Sequence, residues 1–195
     1  MRTAQIKRKT RETDIDLAIN LDEPGSSSIS TGVGFMDHML ELLARHGFIS
    51  LRVKVSGDLH VDAHHTMEDL GLVLGQAISE ALGDRAGICR YGSCILPMDD
   101  ARALAAVDLS NRPYLVYEVN TPAATVGGID VALFHEFFQA LAVKAGMNCH
   151  IVLERAGETH HAVEAIFKAF ARALAQAVAV DPRLKGQILS TKGSL

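Results

Sequence analysis

The segment His64-His65-Thr66-Met67-Glu68 returns in the second half of the chain as His160-His161-Ala162-Val163-Glu164. Adjacent histidines followed within one helical turn by a carboxylate make a compact metal-ligand pattern. Met once, such a pair is more often a polar surface feature. Met twice, at equivalent places, it calls for a duplicated fold that carries two related metal sites.

The patterning around the two motifs repeats as well. Asp14 to Leu21 alternates, with Ile15, Leu17, Ile19 and Leu21 on one face, and reads as a half-buried strand. The Gly/Ser-rich stretch Gly25 to Gly34 follows. Met36, Leu40 and Leu43 then mark a short helix from Met36 to His46, with Gly47 as its C-cap residue. Leu51 to Val55 is a second alternating strand. Behind the first motif, Leu70, Val73, Leu74, Ala77, Ile78 and Ala81 form the apolar face of a helix. The second half offers strands over Arg102 to Asp108 and Tyr114 to Val119, and a turn-rich piece over Thr121 to Gly128. A helix from Leu133 to Ala145, a strand over Cys149 to Glu154 and a last helix opened by His160 complete it. That last helix is apolar on more than one side and is expected between layers or at a subunit contact. Each half reads as β-β-α-β-α, about residues 1–93 and 94–195. The fold class is α+β: one compact, pseudo-symmetric domain with mixed sheets packed on helices.

A length of 195 residues with 48% hydrophobic content supports a real core. The net charge of −4 gives no reason to expect nucleic acid or an anionic membrane as partner. No apolar run completes a signal peptide or reaches the roughly 18 residues of a membrane span. Three cysteines without a C-x-x-C pair point to a reducing, cytoplasmic setting.

A helix turns about 100° per residue, so positions i and i+4 share a face while i and i+1 diverge. His64 and Glu68 therefore grip one ion while His65 points to another, and His160 and Glu164 behave likewise while His161 diverges. Pairing each i,i+4 claw with the odd histidine of the other half gives His64, Glu68 and His161 for one ion, and His160, Glu164 and His65 for the other. His38 and His135, on the preceding helix of each half, supply one further ligand per site. Three imidazoles and a carboxylate leave positions open on a six-coordinate ion and suit Mn²⁺, Fe²⁺ or Zn²⁺ without choosing among them. His46 stands outside the repeated ligand pattern and reads first as an ordinary structural histidine, although its place near Gly47 would let it line the same cavity. His60 and His150 have no such support, and neither they nor the cysteines are given a role.

An anion-binding function needs cations free of a solvated face. Arg90, Arg112, Lys168 and the terminal Ser190-Thr191-Lys192-Gly193 are the candidates. The last looks like a loop that holds phosphate with a hydroxyl, an ammonium and backbone N–H groups. Glu12 is an isolated carboxylate before the first long strand, and nothing local marks it as catalytic.

Gly34 to Met39, Gly57 to Asp69, Arg90-Tyr-Gly92, Pro97-Met-Asp99, Arg112-Pro-Tyr114, His160 to Lys168 and Ser190 to Gly193 occur in order and at the expected spacing. Together they resemble the imidazoleglycerol-phosphate dehydratases of histidine biosynthesis, in their single-function form, from about residue 4 to the C-terminus. The resemblance implies conversion of D-erythro-imidazole-glycerol phosphate to imidazole-acetol phosphate and water, with two Mn²⁺ per site stabilising an imidazolate that leads to a diazafulvene-like intermediate. It implies His38, His65, His160 and Glu164 for one ion and His64, Glu68, His135 and His161 for the other. It makes Glu12 the acid/base, and brings Glu12, His46, Arg90, Arg112, Lys168, Ser190 and Lys192 to the substrate. It also implies a large homo-oligomer, a 24-mer, with active sites shared between subunits. Asn111, where glycine is commoner, and Ser194 depart from the family pattern without touching a ligand. Two rivals remain: a metal-storing structural oligomer, which needs no anion clamp, and a metal hydrolase, which usually carries bridging carboxylates.

Overall fold

The computed structural model describes residues 1–25 and 27–195; of the Gly/Ser-rich stretch, Ser26 lies outside the described residues. The first half runs β1 (Thr3–Lys9), β2 (Thr13–Asn20), β3 (Ser28–Ser30), α1 (Gly34–Gly47), β4 (Ser50–Gly57) and α2 (His64–Leu82). The second runs β5 (Tyr91–Met98), β6 (Ala101–Asp108), β7 (Tyr114–Glu118), the small hairpin β8 (Thr125–Val126) and β9 (Ile129–Asp130), α3 (Ala132–Ala145), β10 (Asn148–Arg155) and α4 (Thr159–Val178). A short 3₁₀ turn, Pro182–Leu184, leads into the C-terminal segment.

The duplication is visible in the sheets. One has strand order β1-β2-β4-β3 and the other β5-β6-β10-β7. In each, the first three strands pair antiparallel and the last joins in parallel. The central strands β2 and β6 bury every second residue in the same phase, as expected of strands with one face on a core. α2 packs on the first sheet and α4 on the second, while α2 meets α3 and α1 meets α4, so the helices lie between the sheets. The two halves thus cover each other's apolar faces, which neither could do alone.

Close helix approach and aromatic packing hold the middle layer. A Cβ on Gly71 would stand 2.4 Å from the Phe137 carbonyl oxygen, and one on Gly75 would stand 2.5 Å from that of Leu141. α2 and α3 therefore meet backbone to backbone. Phe134, Phe137, Phe138, Phe167 and Phe170 are fully buried and interlock at the α3–α4 junction with ring centroids 5.1–5.8 Å apart.

Two expectations need correction. The first half has three strands before its first helix, and the second has three plus the hairpin β8–β9, rather than two; apart from that hairpin, the strands absent from the β-β-α-β-α reading (β1, β3, β5) are all sheet edges. Edge strands have fewer positions to fill with apolar residues, so their alternation is weak: in β1 only Ile6 is buried. For the same reason the boundary near residue 93 falls inside β5, and the elements divide between Leu82 and Tyr91. The last helix, α4, lies between layers as expected, covered within one chain by β5, β6 and α1. Second, α1 keeps Gly47 in its last turn, and Phe48 takes the left-handed position (φ 55°) that ends it. Among the described residues, no helix is long and apolar enough to cross a membrane.

Candidate active site

α4 begins where the Glu158 carboxylate accepts from the N–H groups of His160 (2.9 Å) and His161 (3.3 Å), which satisfies donors the first turn leaves free. At the start of α2, the Asp62 carboxylate accepts from His64 N–H at 2.8 Å. Both His-His pairs therefore sit in first turns, and the rings diverge as helix geometry requires. The planes of His64 and His65 lie 81° apart, and those of His160 and His161 lie 79° apart.

The contact of α1 with α4 brings His38 to the second motif. His38 Nε2 lies 2.9 Å and His160 Nε2 3.1 Å from the same oxygen, Oε1 of Glu164. The three ligand atoms lie within 4.8 Å of one another, as donors to one cation must. Two imidazole nitrogens and a carboxylate oxygen suit a borderline or hard divalent ion, so the residues fit the metal expected of them. The other oxygen of Glu164 accepts from Lys168 Nζ at 2.5 Å. Burial (7% exposed) opposes charge on Glu164, but Lys168, His38 and His160 outweigh it and hold its pKa down to about 2. Lys168 also lies beside His46, whose pKa is pushed down first by burial and then by the charges of Lys168, Arg172 and Arg45. His46 thus lines the α1–α4 seam as an uncharged ring near neutral pH.

The equivalent group on α2 and α3 is open in the structure. His64 Nε2 and Glu68 Oε2 are 3.6 Å apart, while His135 Nδ1 turns to Glu136 (3.1 Å) and its ring packs edge-on against Tyr117. The odd histidines stand apart from the claws. His65 Nδ1 is 3.0 Å from Asp58 Oδ2 and its Nε2 is 3.7 Å from Glu12. His161 Nδ1 is 2.8 Å from Asp100 Oδ1 and its Nε2 is 3.7 Å from Asp99. These hydrogen bonds, to Asp58 and Asp100, are the largest cause that raises both histidine pKa values above the usual range.

Four of the expected anion residues do gather. Arg90, Arg112, Ser190 and Lys192 line one cavity of about 660 Å³ with Tyr91, Gln187 and Thr191. Arg90 is only 8% exposed; it is held by Asp108 at 2.7 Å and donates to the Leu189 carbonyl at 2.7 Å, which pins the C-terminal segment in place. Ser190 Oγ accepts from Lys192 N–H at 3.2 Å. Asn111 takes a left-handed φ of 57° ahead of Arg112, a conformation that asparagine tolerates better than most residues and glycine best. Lys168 is not part of this cavity, because its ammonium is committed to Glu164. His60 and His150 are exposed.

Six further carboxylates stand at the histidines without having been singled out from the sequence: Asp58, Asp62, Asp99, Asp100, Glu136 and Glu158. The signal for Asp99-Asp100 is an acidic pair at the turn between two strands, and for Glu158 a capping residue two positions before a histidine pair.

The imidazoleglycerol-phosphate dehydratase family model matches residues 31–174. The chain belongs to this family. Imidazoleglycerol-phosphate dehydratases of Shouchella clausii and a Jannaschia species are 56% and 55% identical to it, with 100% of this chain covered and 99% and 100% of theirs. Among solved structures, the imidazoleglycerol-phosphate dehydratase of Staphylococcus aureus is 40% identical, with a TM-score of 0.84 over 92% of this chain and 99% of its own. That of Pyrococcus furiosus is 37% identical, with a TM-score of 0.85 over 97% and 100%. As an imidazoleglycerol-phosphate dehydratase the chain is a hydro-lyase of histidine biosynthesis. Its duplicated α+β fold is that of the solved family members.

Proposed function

We propose that the protein removes water from D-erythro-imidazole-glycerol phosphate to give imidazole-acetol phosphate, with two Mn²⁺ ions held by the paired histidine motifs. The convergence of His38 and His160 on one oxygen of Glu164 carries this reading. A metal-storing oligomer has no use for the separate cavity that gathers Arg90, Arg112, Ser190 and Lys192. A hydrolase with bridging carboxylates is disfavoured because the other oxygen of Glu164 is taken by Lys168.

In this reading one ion is held by His38, His160, Glu164 and His65, the other by His64, Glu68, His135 and His161. His65 and His161 stand at separate carboxylates within one chain, which supports the reading that each completes a site on a neighbouring copy. In this reading the working form is a large homo-oligomer, the 24-mer that the family resemblance implies. The proton to be lost from the substrate is not next to a carbonyl, so the imidazole ring serves as electron sink; bound divalent ions supply the charge that makes its N–H acidic near neutral pH.

The chain's own residues do the rest. Glu12, half exposed and facing His65, takes the proton from C2 while the C3 hydroxyl departs as water, and returns a proton to C3 as the resulting enol becomes the ketone. Lys168 keeps Glu164 ionised. Arg112, Ser190 and Lys192 bind the phosphate, and Arg90 holds the loop that presents them. His46, uncharged, hydrogen-bonds the substrate. Three free cysteines accord with a reducing cytoplasm. The test is a dehydration assay on chelator-stripped protein. Activity that returns with Mn²⁺, with imidazole-acetol phosphate as product, bears the reading out; metal uptake without turnover turns it toward storage.

A further inference from the structure

Two carboxylates at the odd histidines have no part in the proposed chemistry. Asp58, in the loop after β4, places Oδ2 at 3.0 Å from Nδ1 of His65. Asp100, in the hairpin between β5 and β6, places Oδ1 at 2.8 Å from Nδ1 of His161. The two histidines are equivalent in the duplication, but the two aspartates are not. The counterpart of the loop that bears Asp58 is the one that bears Glu158, and the counterpart of the hairpin that bears Asp100 is the one that bears Glu12. A contact inherited passively would be met from matching positions. Here the same ring atom is engaged from two different elements, which marks the contact itself as the requirement.

A neutral imidazole carries its proton on one nitrogen only. A carboxylate at Nδ1 keeps the proton there and leaves the Nε2 lone pair free, directed away from the aspartate. We propose that Asp58 and Asp100 are positioning residues that hold His65 and His161 in the tautomer and orientation that ligate through Nε2. This rests on the reading of those two histidines as metal ligands.

The surroundings hold both carboxylates still. The Asp58 N–H donates to the Glu12 carbonyl at 3.0 Å and its C=O accepts from Val61 N–H at 2.8 Å. Its Oδ1 is buried and accepts no hydrogen bond from the described residues, so His65 is the partner that occupies the side chain. Asp100 Oδ2 accepts from Glu158 N–H at 2.8 Å, and the Glu158 carboxylate in turn caps the helix at His160 and His161. A Cβ on residue 157 would stand 2.3 Å from the Asp100 carboxyl group, so the approach requires Gly157.

The experiment measures Mn²⁺ binding to chelator-stripped full-length protein by equilibrium dialysis, with bound ions counted by electron paramagnetic resonance. Asp58→Ala and Asp100→Ala are expected to weaken binding by roughly 10–100-fold. Asp58→Asn and Asp100→Asn, whose amide oxygens still accept from Nδ1–H, are expected to stay within about threefold of the parent. Asp100 is half exposed on a surface hairpin, so its variants decide the matter if Asp58→Ala does not fold. Parent-like binding by the alanine variants, while His65→Ala and His161→Ala bind weakly, overturns the positioning role and leaves the ligands standing. Asparagine variants as weak as alanine overturn the tautomer argument. Parent-like binding by His65→Ala and His161→Ala removes the ligand reading and this inference with it.

Discussion

Nε2 of His38 lies 2.9 Å from Oε1 of Glu164 across 126 positions of chain, while Lys168 holds the other oxygen of the same carboxylate. The carboxylate is divided between two imidazoles and an ammonium. The ordinary carboxyl pKa of 4.5 is held down to about 2 against the effect of burial. A depressed folded-state pKa contributes stability that is present above the unfolded value and lost as pH falls through the folded one. The metal-free protein should therefore lose stability between about pH 4.5 and 2, and Lys168→Met should shrink that loss and move it upward. Urea unfolding at pH 5, 4 and 3 checks this; an unchanged profile in the variant removes Lys168 as the cause.

Glu12 is half exposed and makes no strong ion pair, so its replacement disturbs little besides chemistry. Glu12→Gln should keep metal content and melting temperature while turnover falls by roughly 10²–10⁴-fold. Measured kcat together with Mn²⁺ stoichiometry decides it. Turnover close to the parent's takes Glu12 out of the mechanism.

Two cations in one cavity should behave differently. Lys192 is exposed, and Lys192→Ala should raise KM about tenfold, or about 1.4 kcal/mol, with a smaller change in kcat. Arg90 is buried and bound to Asp108 and the Leu189 carbonyl, so Arg90→Ala should also destabilise the fold, by about 2–3 kcal/mol. Steady-state kinetics beside thermal unfolding separates the two. A Lys192→Ala enzyme with unaltered KM places the phosphate elsewhere.

Chelation should abolish activity and added Mn²⁺ restore it. Ligation needs neutral imidazoles, and Asp58 and Asp100 raise the pKa values of His65 and His161 above 6.5. Mn²⁺ affinity should thus begin to fall while pH is still above 6.5. The linkage has the opposite sign for the stripped protein: these histidine–aspartate pairs stabilise it fully below pH 6.5 and are lost as pH rises through the raised values. Isothermal titration across pH 5.5–8.5 reads the first effect, and unfolding of the apo form over the same range reads the second.

Gly71→Ala and Gly75→Ala should each cost about 1–3 kcal/mol, because the new methyl group meets helix backbone that has no flexible side chain to move aside. The melting temperature should fall, and the α2–α3 metal ligands should loosen with it. Variants that melt with the parent show that the two helices do not depend on this close approach.

The legible parts of the fold are those where one residue pattern reports one environment. Helices α2 and α4, strands β2, β4, β6 and β10, and the divergence of His64 from His65 follow from periodicity alone. The edge strands β1, β3 and β5 stayed hidden because an edge buries too little to impose alternation. The left-handed turn at Phe48 was masked by the glycine before it. Lys168 sits on the ligand side of α4, as helical spacing requires, but spacing alone does not distinguish a cation for phosphate from a cation for Glu164.

What the sequence determined by itself is local: which residues share a helix face, and hence that His160 and Glu164 act together while His161 turns away. This follows because the 100° step of a helix is a property of the backbone. What only the tertiary structure decided is partnership across the chain. That His38 joins Glu164, and that Asp58 and Asp100 reach equivalent histidines from inequivalent elements, depends on how sheets and helices pack. That packing is set by the whole buried core, and no single motif encodes it.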